Sequence, residues 1–346
     1  MPYRSPFIEA SWRVVLVDSL GVETIMSDYL EEATLDFSIF RPVRDTGSLR
    51  VKIPKDMVLD WRASLVKLYW VMAKPEEIIV PLAVMMPTVS AVEFAGSSAT
   101  VSVDLHGRCA RLDQERYPGA LSFPAGTKVE DAIRTILKDI PGTYVESTGV
   151  SLSSAWKWDP GETLLRMVND LASTGGYFAA YTDPNGLIRL DTYVQPSART
   201  PSYTFVDDEN GMYTSGWVLE QDDWGTPNRV TVVQKVSGET APLIAVATDM
   251  DSPYGYRALK RWIDAEPIER DGNSVNQLME AGITRLSQAR NKTQTLDFSH
   301  GFLPIKEHDT VAFVNNANGV WATYTVAKRS LRSKSNLVNT QLRRAV

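Results

Sequence analysis

VEDAIRTILKDIPG (129–142), WDPGETLLRMVNDLASTGG (158–176) and YFAAYTDPNGLIRLDTY (177–193) belong to a helix, strand, helix, hairpin unit set between long flanks that read as β. In the first segment Val129, Ile133, Ile136, Leu137 and Ile140 recur at the spacing of one helix face, and Pro141-Gly142 ends the run. In the second, Asp159-Pro160 offers an N-cap acceptor and a proline at the first helical position, ahead of Leu164, Leu165, Val168, Leu171 and Ala172. That helix is predicted to end before Gly175-Gly176. In the third, Tyr177 to Tyr181 and Leu187 to Leu190 flank Asp183-Pro184-Asn185-Gly186, whose Asn-Gly pair predicts the positive φ angles of a hairpin turn. Nothing in the unit points to catalysis, and its place between β-rich flanks predicts an insertion.

Upstream, apolar and polar residues alternate as in short antiparallel strands, predicted at 12–18, 33–40, 65–73, 78–84, 91–94 and 99–107. Gly21, Arg41-Pro42, Gly47 and Gly96-Ser97 read as breaks, and Lys55 to Val58 as one short turn of helix. So many strands in about 100 residues predict a barrel or a sandwich. Downstream, strands are predicted at 202–205, 216–221, 228–236 with a turn at Ser237-Gly238, and 243–248. A helix then opens at Ser274, with Val275, Leu278, Met279, Ile283, Leu286 and Ala289 on one face and Arg285, Arg290 and Lys292 toward its C-terminal end. Strands return at 293–299, 310–314, 319–330 and 336–344. The order predicts an α+β, mainly β chain: a β domain over 1–110, an inserted α+β domain over 111–201, a second β domain over 202–248 and 293–346, and a helix-containing insert over 249–292. No fixed repeat of about 20 to 50 residues is present, which excludes a solenoid.

The 346 residues are enough for several cores, and 43 % hydrophobic with 23 % charged residues is the balance of a soluble globular protein. No apolar run reaches the roughly 18 to 20 residues that span a bilayer, and Arg4 and Glu9 interrupt any signal-peptide core, so synthesis and folding in a cytoplasm are expected. A net charge of −6 argues against a protein that grips phosphate backbones. It suits a passage that nucleic acid traverses without being held.

Candidates for chemistry are sparse. The three histidines, His106, His300 and His308, lack metal-ligand or triad spacing, and His300 and His308 are expected in a loop, solvated or locally bonded. Cys109 is alone, hence expected to be a buried small hydrophobe. Carboxylates also cluster at Asp249 with Asp251, and Asp207-Asp208-Glu209-Asn210-Gly211 reads as a charged turn, not a calcium loop. Asp222-Asp223 beside Trp224 has the flavour of a sugar-stacking subsite, although adjacent strand residues point to opposite faces. Trp12, Trp61, Trp70, Trp156, Trp158, Trp217, Trp224, Trp262 and Trp321 are scattered, as packing and interface residues are. Lys328, Arg329, Arg332, Lys334, Arg343 and Arg344 form the local basic region, read either as a solvated strand face or as a contact for acidic neighbours. No catalytic, cofactor-binding or metal-binding residues are assigned, and no nucleotide loop is present at Gly175-Gly176 or Gly186.

Three stretches together resemble one family, the baseplate and tail-tip hub proteins of tailed bacteriophages. They are Val129 to Ile133 with Trp158 to Leu165, Gly176 to Phe178 and Asp183 to Ile188; the helix Asn273 to Asn291 feeding a strand; and Tyr324 to Ser330 followed by Leu337 to Arg343. The resemblance implies two tail-tube-like β-barrel domains per subunit with inserted α+β domains, three subunits closing a pseudo-sixfold ring. It further implies a structural, non-enzymatic role at the distal tail end of the virion. Implied partners are the distal tail protein or tail tube, tape-measure protein, tip or fibre proteins, and double-stranded DNA in transit during genome ejection. Some members carry a peptidase or lysin domain after the hub; with the last strand ending at Val346, that activity is expected in another chain. A glycan-binding or glycan-cleaving tip protein built on Asp222, Asp223 and Trp224 is the first alternative, and a distal tail ring or bacterial injection-machine hub the second.

Overall fold

The computed structural model describes residues 10–72, 77–208, 211–221, 225–234, 241–270, 274–290 and 293–345. It is mainly β and divides into two compact units, one made of residues up to Trp217 with Asp297–Leu342, the other of Val218–Leu296 with the residues from Arg343 onward.

The first unit opens with β1 (Ala10–Val17), β2 (Glu23–Ile25), β3 (Leu30–Ser38), β4 (Asp45–Pro54), β5 (Leu65–Met72), β6 (Ile78–Ala95) and β7 (Ser98–Gly107). Each strand sends alternate residues inward, as a two-residue period requires. Val14 and Leu16, Ala33 and Leu35, Leu49 and Val51, Val66 and Leu68, and Val101, Val103 and Leu105 make one core, on which Trp70 stacks with Phe302 at 4.5 Å between ring centroids. Later in the chain, β13 (Tyr203–Val206), β14 (Tyr213–Gln221), β18 (Thr293–Gly301), β19 (Thr310–Asn315), β20 (Val320–Arg332) and β21 (Leu337–Ala345) join the same sheet, in the order β14-β18-β21-β20-β3-β4-β7-β6-β5-β1-β2, with β19 beside β20 and β13 beside β19. The antiparallel pairing of β20 with β3, from Lys328↔Ser38 to Arg332↔Thr34, thus bonds the early and late strands directly.

Between β7 and β13 lies the α+β module: α1 (Cys109–Gln114), β8 (Leu121–Phe123), α2 (Val129–Ile136), β9 (Thr143–Val145), β10 (Trp156–Trp158), α3 (Leu164–Gly175), β11 (Tyr181–Thr182) and β12 (Ile188–Leu190). Its core is separate from that of the sheet and is made by the predicted apolar faces, Val129, Ile133 and Ile136 of α2 meeting Leu165, Val168, Leu171 and Ala172 of α3. The predicted start of α3 at Asp159-Pro160 is corrected to Leu164. Trp158 is held in a strand by pairing with Leu121, and Thr163 bridges to Arg116, so the chain stays extended until the Thr163 hydroxyl accepts from Arg166 N at 3.2 Å. In the hairpin only Gly186 takes a positive φ, 85°, while the Asp183 carboxylate caps the Asn185 and Leu187 amides at 2.9 Å each.

Several upstream readings change as well. The segments 78–84 and 91–94 are parts of the single strand β6, Met57 N closes a turn on Pro54 O where a helical turn was expected, and Gly47 lies inside β4 instead of breaking the chain. A Cβ at Gly47 would sit 2.3 Å from Thr34 O, so the glycine is there for close backbone approach between β3 and β4. Gly47→Ala should therefore push the two strands apart and lower unfolding free energy by about 1–3 kcal/mol, read from the urea midpoint. Gly216→Ala, with nothing within 4 Å of the added carbon, is the matched control and should stay within about 0.5 kcal/mol.

The second unit contains β15 (Arg229–Gln234), β16 (Ile244–Thr248), α4 (Tyr256–Leu259), β17 (Ile268–Arg270) and α5 (Val275–Arg290), with strand order β16-β15-β17. Helix α5 covers one sheet face, Leu278 and Leu286 packing with Val230, Val232, Ala245 and Ala247. Its buried stripe is narrower than predicted, because Val275 and Ile283 are exposed. The predicted turn at Ser237-Gly238 lies outside the described residues. Among the described residues, no helix is long and apolar enough to cross a membrane.

Candidate functional site

Within the first unit, the α+β module is fastened to the sheet at a corner rich in ionisable groups. Arg44 and Asp45 enter β4, Lys306 to Asp309 precede β19, Arg329 lies on β20, and the module contributes Phe178, Ala179, Tyr181 and Thr182, with Arg199 on the segment that follows it. Alternation along β20 turns Lys328 and Arg332 outward and Arg329 inward beside Leu331. Buried, Arg329 donates from Nε to Glu307 Oε1 at 2.6 Å and lies over the Phe37 ring, 4.9 Å from its centroid.

His308 is the hub of the other half. Its φ of 68° is left-handed, its amide donates to Val326 O, and its ring packs on Phe178 with 4.3 Å between centroids. Arg44 donates from Nη1 to His308 Nε2 at 2.6 Å and from Nη2 to Ala179 O at 2.8 Å. Since a guanidinium only donates, His308 Nε2 accepts, and the ring is neutral with its proton on Nδ1. Arg199 donates to the carbonyls of His308 and Val194 and stands 5.0 Å over Phe178. Burial first, then the cations Arg44 and Arg199, pushes the His308 pKa down to about 3. Burial also lowers the pKa of Arg44. Asp45 is pushed the other way, up to about 7, by burial and then by Glu307, against the opposing pull of Arg44 and Arg329. Cys109 is buried as expected, its thiol driven up to about 12 by desolvation.

Phe37, Asp45, Leu82, Tyr181, Glu307 and Arg329 line a cleft with about 20 Å³ of space, room for one water molecule and not for a sugar ring. The corner is built to hold two parts of the chain together. Six of its ionisable contributors, Arg44, Asp45, Arg199, Glu307, His308 and Arg329, are dispersed through the sequence. Only the phase of Arg329 with Leu331 along a strand marked one of them as inward-facing.

The other sequence-stated candidates are placed as follows. His300 is in β18, not a loop; it is wholly buried, donating from Nδ1 to Gly301 O and accepting at Nε2 from Thr340, with its pKa lowered to about 4 by desolvation. Asp207 ties a loop by accepting from Asn316 Nδ2 at 2.7 Å and Ala317 N at 3.0 Å, Asp249 accepts from Ser252, and Asp251 pairs with Arg257. Trp12, Trp61, Trp70 and Trp158 are core residues, whereas Trp321 is 73 % exposed. The basic region is divided: Lys334 reaches Glu32 on the surface, while Arg329 is internal. Asp222, Asp223 and Trp224, with Glu209 and Asn210, lie outside the described residues. No group of three or more histidine, cysteine or carboxylate side chains suited to a metal occurs among the described residues.

No protein-family model matches the sequence, and no curated protein matches it as a relative. The fold, by contrast, has clear counterparts. A tail protein from Neisseria meningitidis MC58 superposes with a TM-score of 0.66 at 14 % identity over 97 % of each chain. The 43 kDa tail protein of prophage MuSo2 from Shewanella oneidensis gives 0.65 at 12 % identity over 95 % of this chain and 98 % of that one. A chain of the Francisella PdpA–VgrG complex gives 0.63 at 6 % identity over 97 % of this chain, which spans 53 % of that longer one. The chain therefore shares its fold with these tail proteins over nearly all of its length.

Proposed function

We propose that this chain is a structural hub at the distal end of a bacteriophage tail. The reading is supported chiefly by the match in fold to two tail proteins, one of them from a prophage, over nearly the whole of both partners. In this reading three copies form a pseudo-sixfold ring, each contributing two tube-like β modules, one built on the early strands and one on the late strands. The ring joins the tail tube to the tip and leaves an axial passage for tape-measure protein and DNA, with interface burial rather than catalysis performing the work.

The surface supports an assembling role. Beyond Met86, β6 continues to Ala95 paired with β7, while its register with β5 ends at Val66↔Met85. That edge, unpaired among the described residues, carries exposed Val89, Val92 and Phe94, the last 69 % accessible, and unpaired strand edges are templates for a neighbouring chain. Phe94→Glu should leave monomer stability within about 0.5 kcal/mol, because the side chain is already in water, and abolish incorporation into tails. Incorporation is read by immunoblotting purified particles. Mass measurement of the assembled tail tip tests the ring itself: three copies per particle support the hub, and six would assign the chain to the distal ring above it. The likeness to the PdpA–VgrG chain favours a second reading, a hub of a bacterial injection machine, which predicts association with an effector-delivery spike and not with a phage tube.

A further inference from the structure

Two buried groups at the module corner have opposite needs. Asp45 is 7 % exposed and makes no ion pair among the described residues: Arg329 is engaged by Glu307, and Arg44 by His308 and Ala179. A second carboxylate, Glu307, faces it, and Thr182 supplies a hydroxyl. A buried acid without a counterion and beside another acid is most stable protonated. His308 is the reverse case, a base enclosed with Arg44 at its Nε2 and Arg199 at its own carbonyl, hence most stable without its second proton. On its own loop the nearby charges are Lys306, Glu307 and Asp309; the module packs the Phe178 ring on the imidazole, and its Tyr181 hydroxyl is bonded to Asp191.

We propose that docking of the α+β module on the sheet is coupled to an internal proton exchange, the His308 imidazolium losing one proton as the Asp45 carboxylate gains one, so that the junction holds equally well across mildly acidic and neutral pH. The balance is complete: in the undocked or unfolded chain between about pH 4 and 6.5 the histidine carries the proton, in the docked chain the aspartic acid carries it, and none is exchanged with solvent. The two linkages have opposite signs. Asp45, with its folded pKa raised from 3.8 to about 7, favours docking most below pH 3.8 and loses that contribution as pH rises through 7. His308, with its folded pKa lowered from 6.5 to about 3, contributes fully above 6.5 and loses it as pH falls toward 3. Over the shared window they cancel, and His300 adds the same background to every variant.

The test is urea unfolding of the full chain between pH 4 and 6.5 for wild type, Asp45→Asn, His308→Gln and the double variant, each folding constant taken relative to the double. Wild type should stay flat. Asp45→Asn should lose close to tenfold in its folding constant per pH unit on acidification, and His308→Gln close to tenfold per unit on going up in pH. Parallel slopes for the two single variants would overturn the exchange. If Asp45→Asn does not fold, carbon NMR of wild type labelled at aspartate decides the point: the Asp45 carboxyl should be protonated at pH 5.5, and an ionised carboxylate there refutes the proposal.

Discussion

Phe205→Ala should lower unfolding free energy by about 3–5 kcal/mol. Phe205 is wholly buried on β13, and its ring is the centre of an aromatic cluster: Tyr203 and Phe298 stand 4.8 Å away between centroids, His300 5.0 Å and Tyr213 6.5 Å. These neighbours come from β13, β14 and β18, strands that meet in the tertiary structure rather than along one hairpin. None can fill the void alone, because each is anchored elsewhere, His300 through Thr340 and Tyr213 through Asn315 Nδ2. Truncation removes the transfer energy of a benzyl group and leaves a cavity lined by rings that cannot rotate inward. Among the described residues β13 pairs in the sheet with β19 alone, over Tyr203–Val206, so the packing of Phe205 decides whether that short strand stays docked. Chemical denaturation followed by tryptophan fluorescence measures the loss, with Trp217, 5.6 Å from Phe313 in the same cluster, as reporter. A loss under about 1 kcal/mol would mean that the cluster repacks and that β13 is held by backbone bonds alone.

The residues that carry this core were readable where their period was clean. The two-residue alternation of Val101, Val103 and Leu105 and the helical spacing of Val129, Ile133 and Ile136 each point one face at a single core, and both are found there. What the alternation could not carry was β4. Gly47 and the polar Thr46 and Ser48 obscure a strand whose later residues, Leu49, Val51 and Ile53, keep perfect phase, because the glycine answers to the Thr34 carbonyl on another strand. Likewise Asp159-Pro160 has the chemistry of a helix start, but the pairing of Trp158 with Leu121 outweighs a local cap. The module corner was less legible still. Arg44, Asp45, Arg199, Glu307, His308 and Arg329 are separated by up to 285 positions, and apart from the phase of Arg329 with Leu331 nothing local distinguishes them from solvated charges.

Arg329→Ala is expected to cost about 3–5 kcal/mol, an order of magnitude more than loss of a surface pair such as Arg166 with Glu162. The Arg329 and Glu307 side chains are only 8 % and 15 % exposed, so water cannot replace the guanidinium once it is gone. Removing it leaves the Glu307 carboxylate, with Asp45 on the same cleft, as uncompensated buried charge, and the planar face over Phe37 is lost with it. The pH sign separates this cause from simple loss of packing. Without the cation that pulls its pKa down, Asp45 binds its proton more readily in the folded state than before, and a raised folded pKa contributes stability at low pH that is lost as pH rises. The deficit of Arg329→Ala against wild type should therefore be largest near pH 8 and shrink toward pH 5, whereas a pure packing defect would be the same at both. Replacing the pair together by Arg329→Met and Glu307→Leu removes the charge problem while keeping the volume, and should recover most of the loss. If the double variant is as unstable as Arg329→Ala alone, the pair is needed for the geometry of the corner itself, and the module is held there by the directed bond from Arg329 to Glu307 rather than by the absence of an unpaired charge.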